Sequence, residues 1–357
     1  MALMAVPIAL IVIVTAVDIL APSRVHLGPF LVAAPAVTAS FAGPRATACI
    51  GALAVTAQAV VAAVRTSLVD LNHSVQLITL ILMSAFVTYF AAWRENHERE
   101  LVQLRSVATA AQEVVLKPLP QRVGPLRIAS VYLAAESEAQ IGGDLYAAAR
   151  TEHGTRIVIG DVRGKGLEAV GDAALLLGAF RGAAHRQADL SALMEFLEGT
   201  VSSDLDDPAA PEDATEDRGE AFITAAALDL PDAEPLLHLI NCGHPPPLLL
   251  RHGRISALEV RSPAPPLGLT EFVTTELAEE TFDFRPGDIA LLYTDGVIEA
   301  RDGDGTFYPL AERMAGKAGK GPDALLANLC KDLLRHVGGH LGDDAAMVAI
   351  ERLPESS

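Results

Sequence analysis

Four stretches in the C-terminal part of the chain share one design, in which an apolar run ends in a tight turn carrying aspartate. They are Ile141-Gly142-Gly143-Asp144, Ile159-Gly160-Asp161-Val162-Arg163-Gly164-Lys165-Gly166, Leu292-Tyr293-Thr294-Asp295-Gly296 and Leu341-Gly342-Asp343-Asp344. Glycine beside aspartate lets the backbone take positive φ and approach a ligand closely. Any one of these is an ordinary Asp-Gly turn; four in succession would gather carboxylates that repel one another unless a cation sits among them. An all-carboxylate set, with no HExxH or CxxC pattern, suits hard cations such as Mg²⁺ or Mn²⁺ rather than zinc. Two such ions sharing a water would bring its pKa toward neutrality and steady the charge on a phosphoryl oxygen. The chemistry this set could perform is hydrolysis of a phosphate ester.

The elements that must hold these turns read as strands and helices in mixed order. Strand-like runs cover 126–134, 155–159, 221–230, 236–241, 247–251, 288–293 and 345–351, and helical runs cover 167–185, 191–205 and 322–337. Runs of strands and pairs of helices in this order predict an α+β sandwich rather than a βαβ repeat. Between them, residues 202–220 are acidic, Pro-containing and poor in apolar residues, and read as a disordered surface loop.

The first part of the chain is of another kind. Runs at 1–17, 25–43, 46–64 and 75–93 are nearly uncharged, and each approaches the ~20 residues that cross a bilayer. Region 1–93 is therefore expected to be a membrane region of three to four transmembrane helices, the lower number because 25–43 contains Pro29 and Pro35. Pro44-Arg45 is expected as a turn between spans. Phe86, Tyr89, Phe90 and Trp93 suit an interfacial belt, and Arg94, Arg99 and Arg105 place the following side in the cytoplasm. A multi-pass protein of the cell membrane with a cytoplasmic C-terminal domain follows. These spans lack the intramembrane ionisable residues that mark a solute pathway, so an anchor or sensor is preferred to a transporter.

Residues 94–119 read as a linker helix. Leu101, Leu104, Ala108, Ala111 and Val115 recur at 3-4-3-4 spacing, which fits equally a coiled coil joining two chains and a helix packed on its own domain. Lys117-Pro118-Leu119-Pro120 stops it. The formal net charge is −18, with 45 acidic against 27 basic residues. With no Lys/Arg stripe, nucleic acid is excluded as a partner. Cys49, Cys242 and Cys330 fit neither a disulfide framework nor a zinc site.

The segments GGDLY, GDVRGKG, FITAAALDL, NCGHPPPLLL, PGDIALLYTDGVIEA and DDAAMVAI, in that order, resemble the metal-dependent protein phosphatase (PPM) family, in the branch typified by the stage II sporulation protein E phosphatase. The resemblance spans 123–352. It implies a phosphatase domain at 120–353 of two packed antiparallel β-sheets flanked by helices, two Mn²⁺ or Mg²⁺ ions, and a phosphoserine or phosphothreonine substrate on a regulatory protein such as an anti-sigma-factor antagonist. By position it implies Asp161 as the carboxylate bridging both metals, the Val162 carbonyl as a backbone ligand, Asp295 and Asp343 as partners on one metal, Asp144 as a ligand of the other and Asp344 as a residue beside them. Arg163 and Lys165 are candidates to bind substrate phosphate, and His244 to protonate the leaving group or merely to hold its turn. Ala147 and Ala346 depart from the family's usual Asp and Thr.

Two other readings compete. Gly142-Gly143-Asp144 echoes the GGDEF hairpin of diguanylate cyclases, but Leu145-Tyr146 follows and three aspartate turns go unused. The alternative function is a non-catalytic, membrane-bound phosphoprotein-binding receptor or scaffold.

Overall fold

The computed structural model describes residues 2–20, 27–65, 71–135, 142–164, 166–205, 222–269, 277–316 and 321–354. The chain divides into two units, Met1–Gln103 and Leu104–Ser357.

The first unit is helical. Helix α1 is Ala5–Leu20; a 3-10 turn at Gly28–Val32 leads into α2 at Ala33–Phe41; α3 is Pro44–Arg65, and α4 is Leu71–Val115, continuing past the unit boundary. Two segments, Pro44–Val64 and Ser74–His97, are long and apolar enough to cross a membrane, while Ala5–Leu20 and Gly28–Phe41 are shorter. At 1.5 Å per residue a 16-residue helix rises about 24 Å, short of a hydrocarbon core of about 30 Å. Pro44 and Arg45 form the first turn of α3 instead of a connecting turn, since proline fits the first helical position. Phe86, Tyr89 and Trp93 lie exposed along α4, and Gln58 Nε2 donates to Gln76 Oε1 at 2.9 Å between α3 and α4. Span and linker are one helix: its 45 residues contain neither Gly nor Pro, so nothing breaks it before the Lys117-Pro118 stop. The side chains of the proposed pairing seam lie outside the described residues.

The second unit is a sandwich of two antiparallel sheets. Its strands are β1 Arg122–Val123, β2 Leu126–Leu133, β3 Asp144–Arg150, β4 Gly154–Val162, β5 Ile223–Pro231, β6 Leu236–Cys242, β7 Leu248–Arg251, β8 Arg254–Ala257, β9 Glu280–Asp283, β10 Ile289–Tyr293 and β11 Ala345–Arg352. One sheet runs β1-β2-β11-β10-β7-β8, the other β3-β4-β5-β6-β9. Helices α5 Leu167–Ala183 and α6 Leu190–Leu205 follow β4, the one-turn α7 Asp295–Ile298 follows β10, and α8 Leu310–Ala315 and α9 Gly321–His336 precede β11.

The strand period explains the layers. Along β11, Ala346, Val348 and Ile350 enter the core shared by the sheets and α5–α6, while Ala345, Met347 and Ala349 enter a second core roofed by α9. Successive side chains point to opposite faces, and both faces are covered, so 345–350 read as an unbroken apolar run. Helix α9 answers with Leu325, Leu326, Leu329 and Leu333, all buried, on the stripe that a 3.6-residue period draws. The α+β sandwich expected from sequence is what folds. Strands β1, β3, β8 and β9 were not anticipated, and residues 202–205 of the expected loop close α6; the rest of that loop lies outside the described residues.

Candidate active site

Strand register brings the aspartates together. Asp144, the first residue of β3, pairs directly with Asp161 near the end of β4, and Asp161 pairs with Thr224 of β5. In the other sheet, Tyr293 pairs with Met347 and the Thr294 N–H donates to the Ala346 carbonyl at 3.1 Å. This sets Asp295, heading α7, beside Asp343 and Asp344, which precede β11. Asp144, Asp161, Val162, Asp295, Asp343 and Asp344 all line one cavity of about 350 Å³.

Glycine is required where these ends meet. A Cβ on Gly142 would lie 1.6 Å from Asp344 Oδ2, and one on Gly296 would lie 1.8 Å from the Asp344 carbonyl oxygen. Asp344 is buried, and its Oδ1 accepts the Ala135 N–H at 2.7 Å, so it ties the end of β2 to the turn before β11. Asp343 Oδ1 accepts the Asp344 N–H at 3.0 Å.

The carboxylates are out of their usual range. Burial, followed by the charge of Asp161, raises Asp144 well above an ordinary carboxylate. Burial, with Asp295 and Asp343 nearby, pushes Asp161 up to about 7. Burial and Glu299 raise Asp295. Like charges crowded at the rim of two sheets resist ionising together. Among the described residues no group of three carboxylate, imidazole or thiol side chains is preassembled around one ion position. The donor set nevertheless fits hard divalent cations in its chemistry. It offers carboxylate oxygens, a cavity with room for bound water, and negative charge whose repulsion such cations would relieve.

Of the substrate-binding candidates, Arg163 also lines the cavity; its guanidinium lies 5.2 Å from the centre of the Phe222 ring, and its N–H donates to the Phe222 carbonyl at 2.9 Å. Lys165 lies outside the described residues. His244 is buried and is not among the cavity-lining residues. Its N–H donates to Asn241 Oδ1 and its carbonyl accepts from Asn241 Nδ2, both at 2.8 Å, while its Nδ1 stands 3.0 Å from the Thr224 hydroxyl. Burial pushes the imidazole down to about 4. This geometry favours the turn-holding role over proton donation to a leaving group. Phe222, Thr224 and Thr294 escaped the sequence reading, though the first two open the FITAAALDL segment and the third stands next to Asp295.

Residues 151–353 match the sequence model of the family described as stage II sporulation protein E (SpoIIE). Three solved structures share the fold. The RsbU and RsbW domains of Rv1364c from Mycobacterium tuberculosis are 25% identical with a TM-score of 0.50, over 65% of this chain and 61% of that one. The PP2C phosphatase domain, with a fragment of the regulatory domain, of SpoIIE from Bacillus subtilis is 16% identical with a TM-score of 0.51, over 66% and 64%. The SiaA-PP2C domain of Pseudomonas aeruginosa is 16% identical with a TM-score of 0.56, over 72% and 99%. The chain thus spans less than two thirds of the first two structures.

Proposed function

The chain belongs to the stage II sporulation protein E family and carries a protein phosphatase domain of the PP2C fold; from that premise we propose that it is a membrane-anchored, metal-dependent phosphatase acting on phosphoserine or phosphothreonine of a cytoplasmic regulatory protein. The observation that carries this reading is the convergence of aspartates from both sheets on a single cavity. Asp144, Asp161, Asp295, Asp343 and the Val162 carbonyl hold two Mn²⁺ or Mg²⁺ ions. Bound there, the ions supply a water of lowered pKa and stabilise charge on the phosphoryl group.

The remaining steps belong to the chain's own residues. Asp161, central in the row Asp144–Asp161–Thr224, orients the reacting centre together with Asp295. Asp344 keeps the β2 end and the Asp343 turn in register through Ala135. Arg163, steadied by the Phe222 ring, receives the substrate phosphate at the cavity mouth, and Lys165 is placed by sequence to assist it. No side chain is assigned to protonate the leaving group. The mycobacterial neighbour joins an RsbU domain to an RsbW domain, which supports a regulatory phosphoprotein, such as an anti-sigma-factor antagonist, as substrate. The apolar segments Pro44–Val64 and Ser74–His97 support the anchor as two passes, with 94–119 joining two chains.

The test is hydrolysis of p-nitrophenyl phosphate and of a phosphoserine peptide by the solubilised full chain with Mn²⁺. The expected result is turnover that chelation abolishes and Asp161→Asn removes. Peptide binding without turnover would establish the non-catalytic receptor instead.

A further inference from the structure

Thr294 sits at the N-cap of α7, a position where threonine ordinarily offers its side-chain oxygen to the first backbone N–H groups of a helix. Here it makes no such cap. Its hydroxyl is engaged elsewhere: Oγ1 accepts the Ala346 N–H at 2.9 Å and lies 2.8 Å from Asp144 Oδ2. A hydroxyl has one proton. With Ala346 donating to the oxygen, that proton is directed at the carboxylate. Thr294 has no exposed surface, and Asp144 is buried as well, so water does not compete for the bond. Thr294 directly follows β10, whose sheet also holds β11 just after Asp343, whereas Asp144 opens β3 of the other sheet.

We infer that Thr294 is a positioning residue that fixes the Asp144 carboxylate for metal binding and couples the metal-holding ends of the two sheets. This rests on reading the aspartates as metal ligands. The hydroxyl engages Oδ2 of Asp144, and Asp144 itself lines the cavity with the other carboxylates. Partners that orient a ligand in this way are typically worth about 10–100-fold in metal affinity. Sequence alone gives no hint of the pairing, because the two residues stand 150 positions apart.

The experiment measures Mn²⁺ affinity of the solubilised full chain by calorimetry, independently of turnover. Thr294→Val, which keeps the shape and deletes the proton, is expected to weaken Mn²⁺ binding by about 10–100-fold, and Thr294→Ser to restore it close to wild type. In a chain already carrying Asp144→Ala, which deletes the acceptor of the Thr294 hydroxyl, adding Thr294→Val should cost little more, because the two changes remove the same contact. Thr294→Val also strips the Ala346 N–H of its acceptor. Should that variant fail to fold, Thr294→Cys, with a weak donor and acceptor of similar size, carries the test and is expected to fall between serine and valine. Wild-type affinity in Thr294→Val or in Thr294→Cys, or equal losses with and without Asp144→Ala, would overturn the inference while leaving the metal site standing. A wild-type chain that binds no Mn²⁺ would overturn both.

Discussion

At the scale of single residues, the site is a set of carboxylates held where they are least comfortable. Asp144 and Asp161 face each other across a β-pair, a placement that costs stability when both are charged. The folded chain therefore holds protons that the unfolded chain would release. For Asp161, raised from 3.8 to about 7, the contribution to stability is fully present below the unfolded pKa and is lost as pH rises through the folded one. The melting temperature of the metal-free C-terminal unit should accordingly fall between about pH 4 and pH 7, and Mn²⁺ should remove that fall by neutralising the charge. Asp161→Asn should flatten the metal-free profile, raise its neutral-pH end and abolish the Mn²⁺ effect. Thermal melts across pH, with chelator and with Mn²⁺, check all three; a flat metal-free wild-type profile would refute burial and mutual repulsion as the cause. Glycine at the same site is equally constrained. Gly142→Ala would drive a methyl into Asp344 and break the Ala135 bond, so loss of both Mn²⁺ response and turnover is expected. That requirement was written in the sequence as Gly-Gly-Asp, whereas Thr294 and Thr224 were not legible, because partners set by sheet register leave no local pattern.

At the scale of elements, legibility followed burial. Strands β10 and β11 announced themselves because both faces are covered and Ile289–Tyr293 and 345–350 are apolar throughout, and α9 because its leucines keep one stripe. Strand β3 was missed because it begins on the aspartate that sequence reading assigned to a turn, then continues through Ala147-Ala148-Ala149, residues of weak strand preference. Strands β8 and β9 were missed because each has four residues and is largely solvent-facing. Within α4 neither Gly nor Pro separates the apolar segment from the linker that follows it. Helix α5 shows where glycine is dispensable. Gly171, Gly178 and Gly182 are exposed helical positions where a Cβ would meet nothing within 4 Å. Glycine inside a helix costs about 0.5–1 kcal/mol relative to alanine. Each Gly→Ala change there should stabilise the unit by about that much, read as a higher melting temperature with Mn²⁺-dependent turnover unchanged. A drop in stability would mean that α5 needs those gaps for a neighbour.

At the scale of the whole molecule, two kinds of surface share one chain. The C-terminal unit covers its apolar residues with two cores, whereas α1 and α4 expose Val12, Ile13, Phe86, Tyr89 and Trp93. An apolar belt of this extent is an unfavourable surface in water and an ordinary one in lipid. Trp93 makes the question measurable, because it is the chain's single tryptophan. It lies 56% exposed and stacks on His97 with ring centroids 5.8 Å apart. Rings of this kind favour the headgroup level, apolar on one side and wet on the other. In the reconstituted chain, Trp93 fluorescence should be quenched strongly by brominated lipid and weakly by aqueous acrylamide. Trp93→Phe should abolish the signal without altering Mn²⁺-dependent turnover, since Trp93 and the carboxylates lie in different units. Strong quenching by acrylamide, with none by brominated lipid, would show that the apolar helices face water or protein, and the membrane anchor would have to be abandoned while the phosphatase reading stood on its own aspartates.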